Sequence, residues 1–400
     1  MAGALAISLT SRDKETSTCA AADLSGVAKC QFSRRRYYRF HEHSVYLIVQ
    51  KLTGCFTILL FVAVSAKAET ERKVTKLAEG VYEIEHQDSG DGFASGNTTV
   101  IIGERQVLVV DSCFLPSAAR EDIAQIRQWT AKPVAFLLNT HFHNDHNLGN
   151  EEYMKAFPAL TVVAHVETKK DMDMFGPGSA GREEKGIASL QRMLDTGKLN
   201  GGRDLTAEEK TEVKTALAHR LPVMEELRKV KFQSATLAFD RDFSIDLGNR
   251  EVMIKFLGRG NTAGDAVAYL PNEKIVAAGD LVVHPLPYIY DGYPVEWIQT
   301  LQNLTQLDAA AIVPGHGPVL RDKTYLLLLR DLMQSAVDQL NAYLKRTGPA
   351  MFRTLDEVKA AIDLTPFRQR FAGEDKDLAA SFDDVAANLV KVAFAEASLR

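Results

Sequence analysis

Cysteine is scarce in this sequence, because a chain of 400 residues contains only four: Cys19, Cys30, Cys55 and Cys113. Only Cys113 lies beyond residue 68, where we expect the mature chain to begin. A single cysteine excludes an intramolecular disulfide in the mature chain, even in an oxidising compartment. We interpret Cys113 as a buried thiol in the apolar core. The alternative is that it approaches a functional site, since it lies two residues after Asp111.

Basic residues are also fewer than acidic residues. The chain has 47 Lys and Arg against 52 Asp and Glu, and its first 68 residues hold nine of the basic residues but only four of the acidic ones. The remainder therefore has a formal charge of about −10. Because contacts with phosphates need clustered basic side chains, we expect a small-molecule substrate and no nucleic acid.

The apolar run at residues 55–66 is followed by Ala-Lys-Ala at residues 66–68, which is similar to the A-x-A cleavage site of secretory signals. We therefore predict an export segment at residues 1–68, cleavage before Glu69, and a periplasmic or secreted mature protein. The run is shorter than the roughly 20 residues that span a bilayer, so no stable membrane insertion is expected after cleavage. An uncleaved anchor is the alternative.

Residues 141–146 read His-Phe-His-Asn-Asp-His. Three of the eight histidines that follow residue 68 fall within this run, so chance clustering in a polar loop explains it poorly. His141 and His143 can present their imidazoles to one side of a turn, while Asp145 and His146 point to a second position beside it. Imidazole and carboxylate groups suit Zn²⁺ or a neighbouring first-row metal. The run therefore predicts a metal centre.

This run follows an apolar stretch, residues 134–138, which is typical of a short buried strand. A second apolar stretch, residues 107–110, leads into Asp111. Both sets of polar residues therefore follow the C-terminal ends of strands, where open α/β sheets tend to place their sites. A buried carboxylate is costly without a partner. The second ring nitrogen of a metal-bound histidine would give Asp111 one.

The chain contains five motifs: a strand-end aspartate (Asp111), a T-H-x-H-x-D-H run (residues 140–146), a G-H-T-x-G-type turn (258–265), a G-D strand end (279–280) and a late P-G-H (314–316). In order and spacing, these motifs make the chain resemble the metallo-β-lactamase-fold superfamily. The resemblance covers residues 74–319 and implies an α/β fold, a four-layer αβ/βα sandwich. One position departs from the pattern, because the histidine of the third motif is Asn261.

The resemblance assigns residues 69–320 to the metallo-β-lactamase-like domain. Within it, residues 167–231 are highly charged, lack a strand pattern and contain a capping box at Thr206, which indicates a helical insertion. Residues 321–400 are predicted to form a helical C-terminal extension, because apolar residues recur there at spacings of three and four. Two roles are open for this extension: packing on the core, or forming a homodimer interface.

The resemblance implies two adjoining positions for zinc, of which one or both would be filled. The implied ligands are His141, His143 and Asn261 at one position, Asp145, His146 and His316 at the other, and Asp280 between them. Asp111 would be hydrogen-bonded to a histidine ligand. An amide oxygen is a poorer zinc ligand than imidazole, so the Asn261 position should bind loosely or accept another metal such as manganese. His284 is a candidate substitute ligand there.

The implied reaction is hydrolysis, in which a metal-bound hydroxide, held by Asp145 as catalytic residue, attacks an amide, ester or thioester. β-Lactamase-like activity belongs to this class, but positions 280 and 283 hold Asp and Val where one lactam-cleaving branch has Cys and Lys. The competing hypothesis is an exported metal-binding or sensing protein on a catalytically decayed hydrolase fold. Asn261 is the best argument for that second hypothesis.

Three residues outside the implied ligand set are candidates for substrate contact. Phe93 lies in a glycine-rich loop expected to overhang the metals, Arg259 could grip an anionic group, and Tyr288 could belong to an aromatic wall beside Asp280. Each has an ordinary alternative. Phe93 would be an exposed loop residue, Arg259 a surface arginine and Tyr288 part of the normal packing.

The export hypothesis predicts the N-terminus of the mature protein. N-terminal sequencing of secreted material should begin at Glu69, because the signal cleavage site ends at residue 68. A start upstream of Cys55 in the soluble fraction would contradict it.

Overall fold

The computed structural model describes residues 72–86, 95–199, 202–290 and 292–398. The predicted export segment, its three cysteines and Phe93 lie outside these ranges. Among the helices of the described part, none is both long and apolar enough to cross a membrane.

The first half of the chain forms a seven-stranded sheet in which the strands follow one another in sequence order. Its strands are β1 (Lys73–Ala78), β2 (Val81–Glu85), β3 (Thr98–Ile102), β4 (Val107–Val110), β5 (Val134–Leu138), β6 (Thr161–His165) and β7 (Leu237–Phe239). β1 to β4 pair antiparallel and β4 to β7 pair parallel. Two helices connect the parallel strands, α1 (Pro116–Trp129) between β4 and β5 and α2 (Asn150–Ala156) between β5 and β6. The ends of β4 and β5 therefore lie side by side at one edge of the sheet.

The predicted insertion is helical. It contains α3 (Val166–Phe175), α4 (Ser179–Thr196) and α5 (Ala207–Leu227). Thr206 caps α5 with the reciprocal hydrogen bonds to Glu209 that the sequence suggested. The sequence pattern after this capping box predicts a helix as far as Leu217. The helix instead continues through Pro222, because Leu217, Met224 and Leu227 keep burying apolar surface.

The second half forms a five-stranded sheet in the order β12-β11-β10-β9-β8. Its elements are β8 (Phe243–Asp246), β9 (Glu251–Phe256), β10 (Ala266–Leu270), β11 (Ile275–Val283), helix α6 (Pro294–Gln306) and β12 (Ala311–His316). Only β11 and β12 pair parallel. Because α6 connects them, their C-terminal ends also meet at one edge.

The two sheets pack face to face through one apolar layer. Val81 and Val110 of the first sheet share a cluster with Ile254 and Val313 of the second. The outer face of the first sheet packs on α1 and α2, and that of the second packs on α6 and the C-terminal helices. The predicted four-layer αβ/βα sandwich is confirmed.

Glu83 in β2 is an exception to the polar-outside pattern. Apolar and polar residues alternate at positions 80–85, a pattern that predicts a half-exposed strand, yet Glu83 is fully buried. It faces the same side as Val81, and this side is covered by the second sheet. Burial raises the pKa of Glu83 to about 7, with the Thr75 hydroxyl acting in the opposite direction.

The C-terminal region contains α7 (Thr324–Thr347), α8 (Leu355–Ala361), α9 (Thr365–Ala372) and α10 (Lys376–Ser398). Buried residues of α7 and α10 belong to the same apolar cluster as Val276 of β11 and Trp297 of α6. These helices therefore pack on the core and form the outer layer of the second sheet. The homodimer interface stays a prediction.

This packing predicts unequal effects for two leucines of α7. Leu329 is fully buried, whereas Leu327 is 39% exposed. Leu329→Ala should lower the free energy of unfolding by roughly 2–5 kcal/mol, because it leaves a cavity. Leu327→Ala, the control, should change it by less than about 1 kcal/mol. Denaturant unfolding measures both, and similar small effects would contradict the packing of α7.

Candidate metal centre

The ends of β4, β5, β11 and β12 bring together the polar residues that the sequence singled out. Asp111 follows β4, and residues 140–146 follow β5 and close in a short 3₁₀ turn, Asn144–His146. Asp280 lies within β11, and His316 ends β12. Side chains from both sheets therefore converge at one edge of the sandwich, where the apolar layer between the sheets ends.

Asp111 connects the two strand ends of the first sheet. Its Oδ1 accepts a hydrogen bond from the backbone N–H of Thr140 at 2.8 Å, and its Oδ2 accepts one from the Thr140 hydroxyl at 2.8 Å. The same Oδ2 lies 2.9 Å from Nδ1 of His146. Because a carboxylate can only accept, Nδ1 of His146 carries the donated proton, so Nε2 is the nitrogen that would bind a metal.

The same reasoning applies to His141, one contact further along. The Thr140 hydroxyl donates its hydrogen bond to Asp111, so its oxygen accepts a hydrogen bond from Nδ1 of His141 at 3.0 Å. Nε2 of His141 is then the nitrogen with the free lone pair. One carboxylate thus assigns the tautomers of two histidines, and both have Nε2 available as a donor atom to a cation.

The first donor group consists of Asp145, His146 and His316. Nε2 of His316 lies 3.1 Å from Oδ2 of Asp145 and 3.2 Å from Nε2 of His146. The distance between Nε2 of His146 and Oδ2 of Asp145 is 3.6 Å. These three donor atoms lie as close together as ligands around one ion. The grouping is the one that the resemblance implied.

The second donor group consists of His141, His146 and Asp280. Asp280 reaches both groups: its Oδ2 is 3.6 Å from Nε2 of His141, and its Oδ1 is 3.2 Å from Nε2 of His146 and 3.6 Å from Nε2 of His316. Asp280 therefore lies between the two donor groups, where the resemblance implied a shared ligand.

His143 and Asn261 complete the second group. Nδ1 of His143 lies 3.0 Å from Nε2 of His141. Asn261 is buried, and its Nδ2 is placed 3.5 Å from Oδ2 of Asp280. The amide of Asn261 thus stands where the motif calls for an imidazole, next to the shared carboxylate.

The buried carboxylates and imidazoles shift one another's pKa values. Burial acts to raise the pKa of Asp145 and of Asp280, but the neighbouring His146 and His316 lower both below the usual range. Burial lowers the pKa of His141, and His146 adds to this effect. Both carboxylates therefore remain ionised at neutral pH, which is the state that binds a cation.

The chemistry of this donor set fits a zinc-type ion. Two ionised carboxylates and four imidazoles meet at the edge of the sandwich, and hydrogen bonds to Asp111 and Thr140 leave Nε2 of His141 and His146 free to act as donors. Zn²⁺ prefers this combination of nitrogen and oxygen ligands. Which of these side chains bind a metal stays a prediction.

Asn97, which the sequence analysis did not single out, fixes the His316 loop. Its Nδ2 donates to the carbonyl oxygens of Pro314 and Gly317 at 3.0 and 2.8 Å, and its backbone N–H donates to the carbonyl oxygen of Gly315 at 2.7 Å. No motif marks this asparagine, because its partners lie more than 200 residues further along the chain.

Gly96 allows the chain to pass close to the donor groups. A Cβ at this position would lie 2.4 Å from Cε1 of His146, so any larger residue would displace the imidazole. Its backbone N–H also donates to the carbonyl of Asp145. The segment that precedes β3 therefore packs directly against the predicted ligand His146.

Asp265, the last residue of the third motif, stabilises the turn that contains Asn261. It is buried, and its Oδ2 accepts a hydrogen bond from the backbone N–H of Thr262 at 2.7 Å, which closes the turn that carries Asn261. Burial raises the pKa of Asp265 to about 8.

The candidate substrate residues have different surroundings. The ring of Tyr288 lies 5.0 Å from that of His316, so it borders the donor groups as expected for an aromatic wall. Arg259 forms a two-pronged ion pair with Glu296 and stacks over Tyr293 at 4.2 Å. Its guanidinium is therefore already engaged.

Two further expectations concern His284 and Cys113. His284 packs its ring against Tyr325 at 4.9 Å and joins neither donor group among the described residues. Cys113 is buried in the apolar layer between the first sheet and its helices, as the favoured interpretation held.

Comparisons with known proteins agree with this architecture. A family model described as the metallo-beta-lactamase superfamily matches residues 91–316. A metallo-beta-lactamase type 2 from a Bacillus species is 33% identical over 97 residues, which are 23% of this chain and 37% of that protein. A linear primary-alkylsulfatase from a Pseudomonas species is 25% identical over 295 residues, 68% of this chain and 52% of that protein.

The chain thus spans about a third to a half of the length of these two relatives. Among solved structures, a metallo-beta-lactamase from Pontibacter korlensis is similar with a TM-score of 0.47 and 20% identity. The match covers 66% of this chain and 99% of that one.

The position of Asn261 predicts a weak second metal site. Asn261→His should raise the affinity for a second zinc ion about tenfold or more, because imidazole is the better zinc ligand. Elemental analysis after dialysis and calorimetric titration measure this. Asn272→His, which places a histidine on an exposed turn, is the control and should add nothing. Two dialysis-resistant zinc ions in the wild type, with no gain from the substitution, would contradict the prediction.

Proposed function

Because the chain belongs to the metallo-beta-lactamase superfamily, we propose that it is a metal-dependent hydrolase that cleaves an ester, thioester or amide bond in a small molecule. Zinc is the proposed metal, with a tighter position at Asp145, His146 and His316 and a looser one beside Asn261. One observation carries this proposal. Asp280 directs one carboxylate oxygen towards His141 and the other towards His146 and His316.

When bound, zinc would supply a Lewis acid that lowers the pKa of a water and polarises the bond to be cleaved. The protein side chains have the remaining tasks. His141, His143, His146 and His316 would hold the metal, and Asp280 would keep the two positions together. Asp111 and Thr140 would hold the imidazoles of His141 and His146 in the binding tautomer.

Asp145 is the proposed catalytic residue. Its side chain is 18% exposed, in contrast to the almost completely buried Asp280, so it can face both the metal and an incoming substrate. The nearby His146 and His316 keep it ionised. An ionised carboxylate at this place can accept the proton of the attacking water and return it to the leaving group.

The residues around the donor groups limit the chemical class of the proposed substrate. Position 283 is a buried valine, so this chain lacks the lysine that the sequence analysis associated with binding a lactam carboxylate. Arg259 could bind an anion only after releasing Glu296. Tyr288 offers an aromatic surface next to His316. These features favour a substrate with an apolar or aromatic group near the scissile bond over one anchored by a carboxylate.

Export remains part of the proposal, on the strength of the apolar run at residues 55–66 and the Ala-Lys-Ala that follows it. A periplasmic or secreted location would bring the enzyme together with extracellular esters or amides. It would fit poorly with a thioester of an intracellular thiol.

Asp145→Asn tests the proposed reaction. We expect kcat/KM on the best substrate to fall roughly 10²- to 10⁴-fold, because the proton acceptor is lost, and the tighter metal position to weaken. Asp240→Asn, an exposed aspartate, is the control and should behave like the wild type. The zinc-loaded full chain is assayed on aryl esters, acyl thioesters, nitrocefin and alkyl sulfates, with metal content measured in parallel.

The outcome separates the two functional hypotheses. Turnover that depends on Asp145 supports the hydrolase. Stoichiometric zinc without turnover on any of these substrates would instead favour a metal-binding or sensing protein.

A further inference from the structure

A second cluster of metal-ligating side chains lies behind the first sheet, away from the donor groups described above. His86 follows β2, Cys113 follows β4, and Asp122 lies on α1. The imidazole, thiol and carboxylate donor atoms all lie within 4.8 Å of one another. All three residues are almost completely buried, in the layer between the sheet and its outer helices.

The geometry points to a buried zinc site formed by His86, Cys113 and Asp122, and we propose that this site binds one ion with a structural role. Zn²⁺ binds nitrogen, sulfur and oxygen ligands, and here the three come from separate elements. A bound ion would tie the end of β2 and the end of β4 to α1. This proposal does not depend on the proposed hydrolase activity.

The contacts around Asp122 leave one of its oxygens facing the cluster. Its Oδ1 accepts a hydrogen bond from Arg72 at 2.9 Å, which holds the carboxylate in place. Its Oδ2 lies 3.0 Å from Nε2 of His86. An ion between these two atoms would replace this one hydrogen bond and keep the Arg72 contact, which then orients the ligand from behind.

The cluster offers negative charge to a divalent cation. With Cys113 as thiolate and Asp122 as carboxylate, two negative charges would face Zn²⁺, while the positive charge of Arg72 is paired with the other oxygen of Asp122. Among the described residues, the thiol makes a weak 3.7 Å contact to the carbonyl of Leu115. Burial raises the pKa of Cys113 well above its usual range, with Asp122 adding to this effect.

Tyr153 on α2 is the second, independent indication of a ligand. Its side chain is fully buried, and its hydroxyl has no hydrogen-bond partner among the described residues. It lies close enough to Asp122 and Cys113 for their charges to raise its pKa further, after the larger effect of burial. A buried hydroxyl without a partner is unfavourable.

A plain hydrogen-bonded network is the competing interpretation. Arg72, Asp122 and His86 would then form a chain that needs no ion, as buried pairs often do. That interpretation accounts for Arg72, Asp122 and His86. It gives no reason for a buried thiol beside the carboxylate, whereas the zinc site makes Cys113 a ligand.

Cobalt substitution of the full chain distinguishes the two interpretations. None of the donors in the two groups at the edge of the sandwich is a thiol, and the test is made in a full chain in which Cys19, Cys30 and Cys55 are replaced by serine. A thiolate-to-cobalt charge-transfer band in the near ultraviolet would then report on Cys113. We expect the band in the wild type and in His316→Ala, which disrupts the other centre. We expect it to be absent in Cys113→Ala. No band in the wild type, or a band that survives Cys113→Ala, would overturn the proposal.

A second variant keeps the test decisive if Cys113→Ala does not fold. Asp122→Asn retains the size of the side chain and the cysteine, but replaces a charged ligand. The cobalt concentration that gives half of the band should rise about tenfold or more. Glu121→Gln, on the exposed neighbour in α1, is the matched control and should leave it unchanged. An unchanged value for Asp122→Asn would also overturn the proposal.

Discussion

The carboxylate of Asp111 is the contact on which the arrangement of the donor groups depends. It ties the end of β4 to the end of β5 through Thr140, and it sets the tautomers of His146 directly and of His141 through the Thr140 hydroxyl. A buried carboxylate in this position is favourable only because these donors surround it. The stability of the strand edge and the readiness of two imidazoles to bind a metal therefore share one cause.

The features that could be predicted from the sequence are those encoded by neighbouring residues. The spacing of residues 141–146 places its donors on one turn, and the strand patterns place Asp111 at the end of the neighbouring strand. The sandwich, His316 and the two donor groups were implied by the resemblance to the metallo-β-lactamase superfamily. Asn97 and the Arg259–Glu296 ion pair could not be found this way, because their partners are distant in the sequence. The burial of Glu83 could not be predicted either, because alternation shows which residues share a face of the strand but not what covers that face.

Asn261 makes the two proposed metal positions chemically different within one continuous site. The turn that carries it is held by Asp265, and its amide lies against the carboxylate of Asp280. If Asp280 serves both proposed positions, occupancy of the weaker one would alter the charge on a ligand of the stronger one. The two affinities would then be coupled.

The buried Glu83 links folding to the uptake of a proton. With a folded-state pKa of about 7 in place of the ordinary value of 4.5 for a glutamate, the folded chain holds a proton between these pH values that the unfolded chain has released. The free energy of unfolding consequently falls as the pH rises from 4.5 through 7, by up to about 3 kcal/mol from this group. An acidic exterior would favour the folded state of this sandwich, whereas an alkaline one would place a charge between its two sheets.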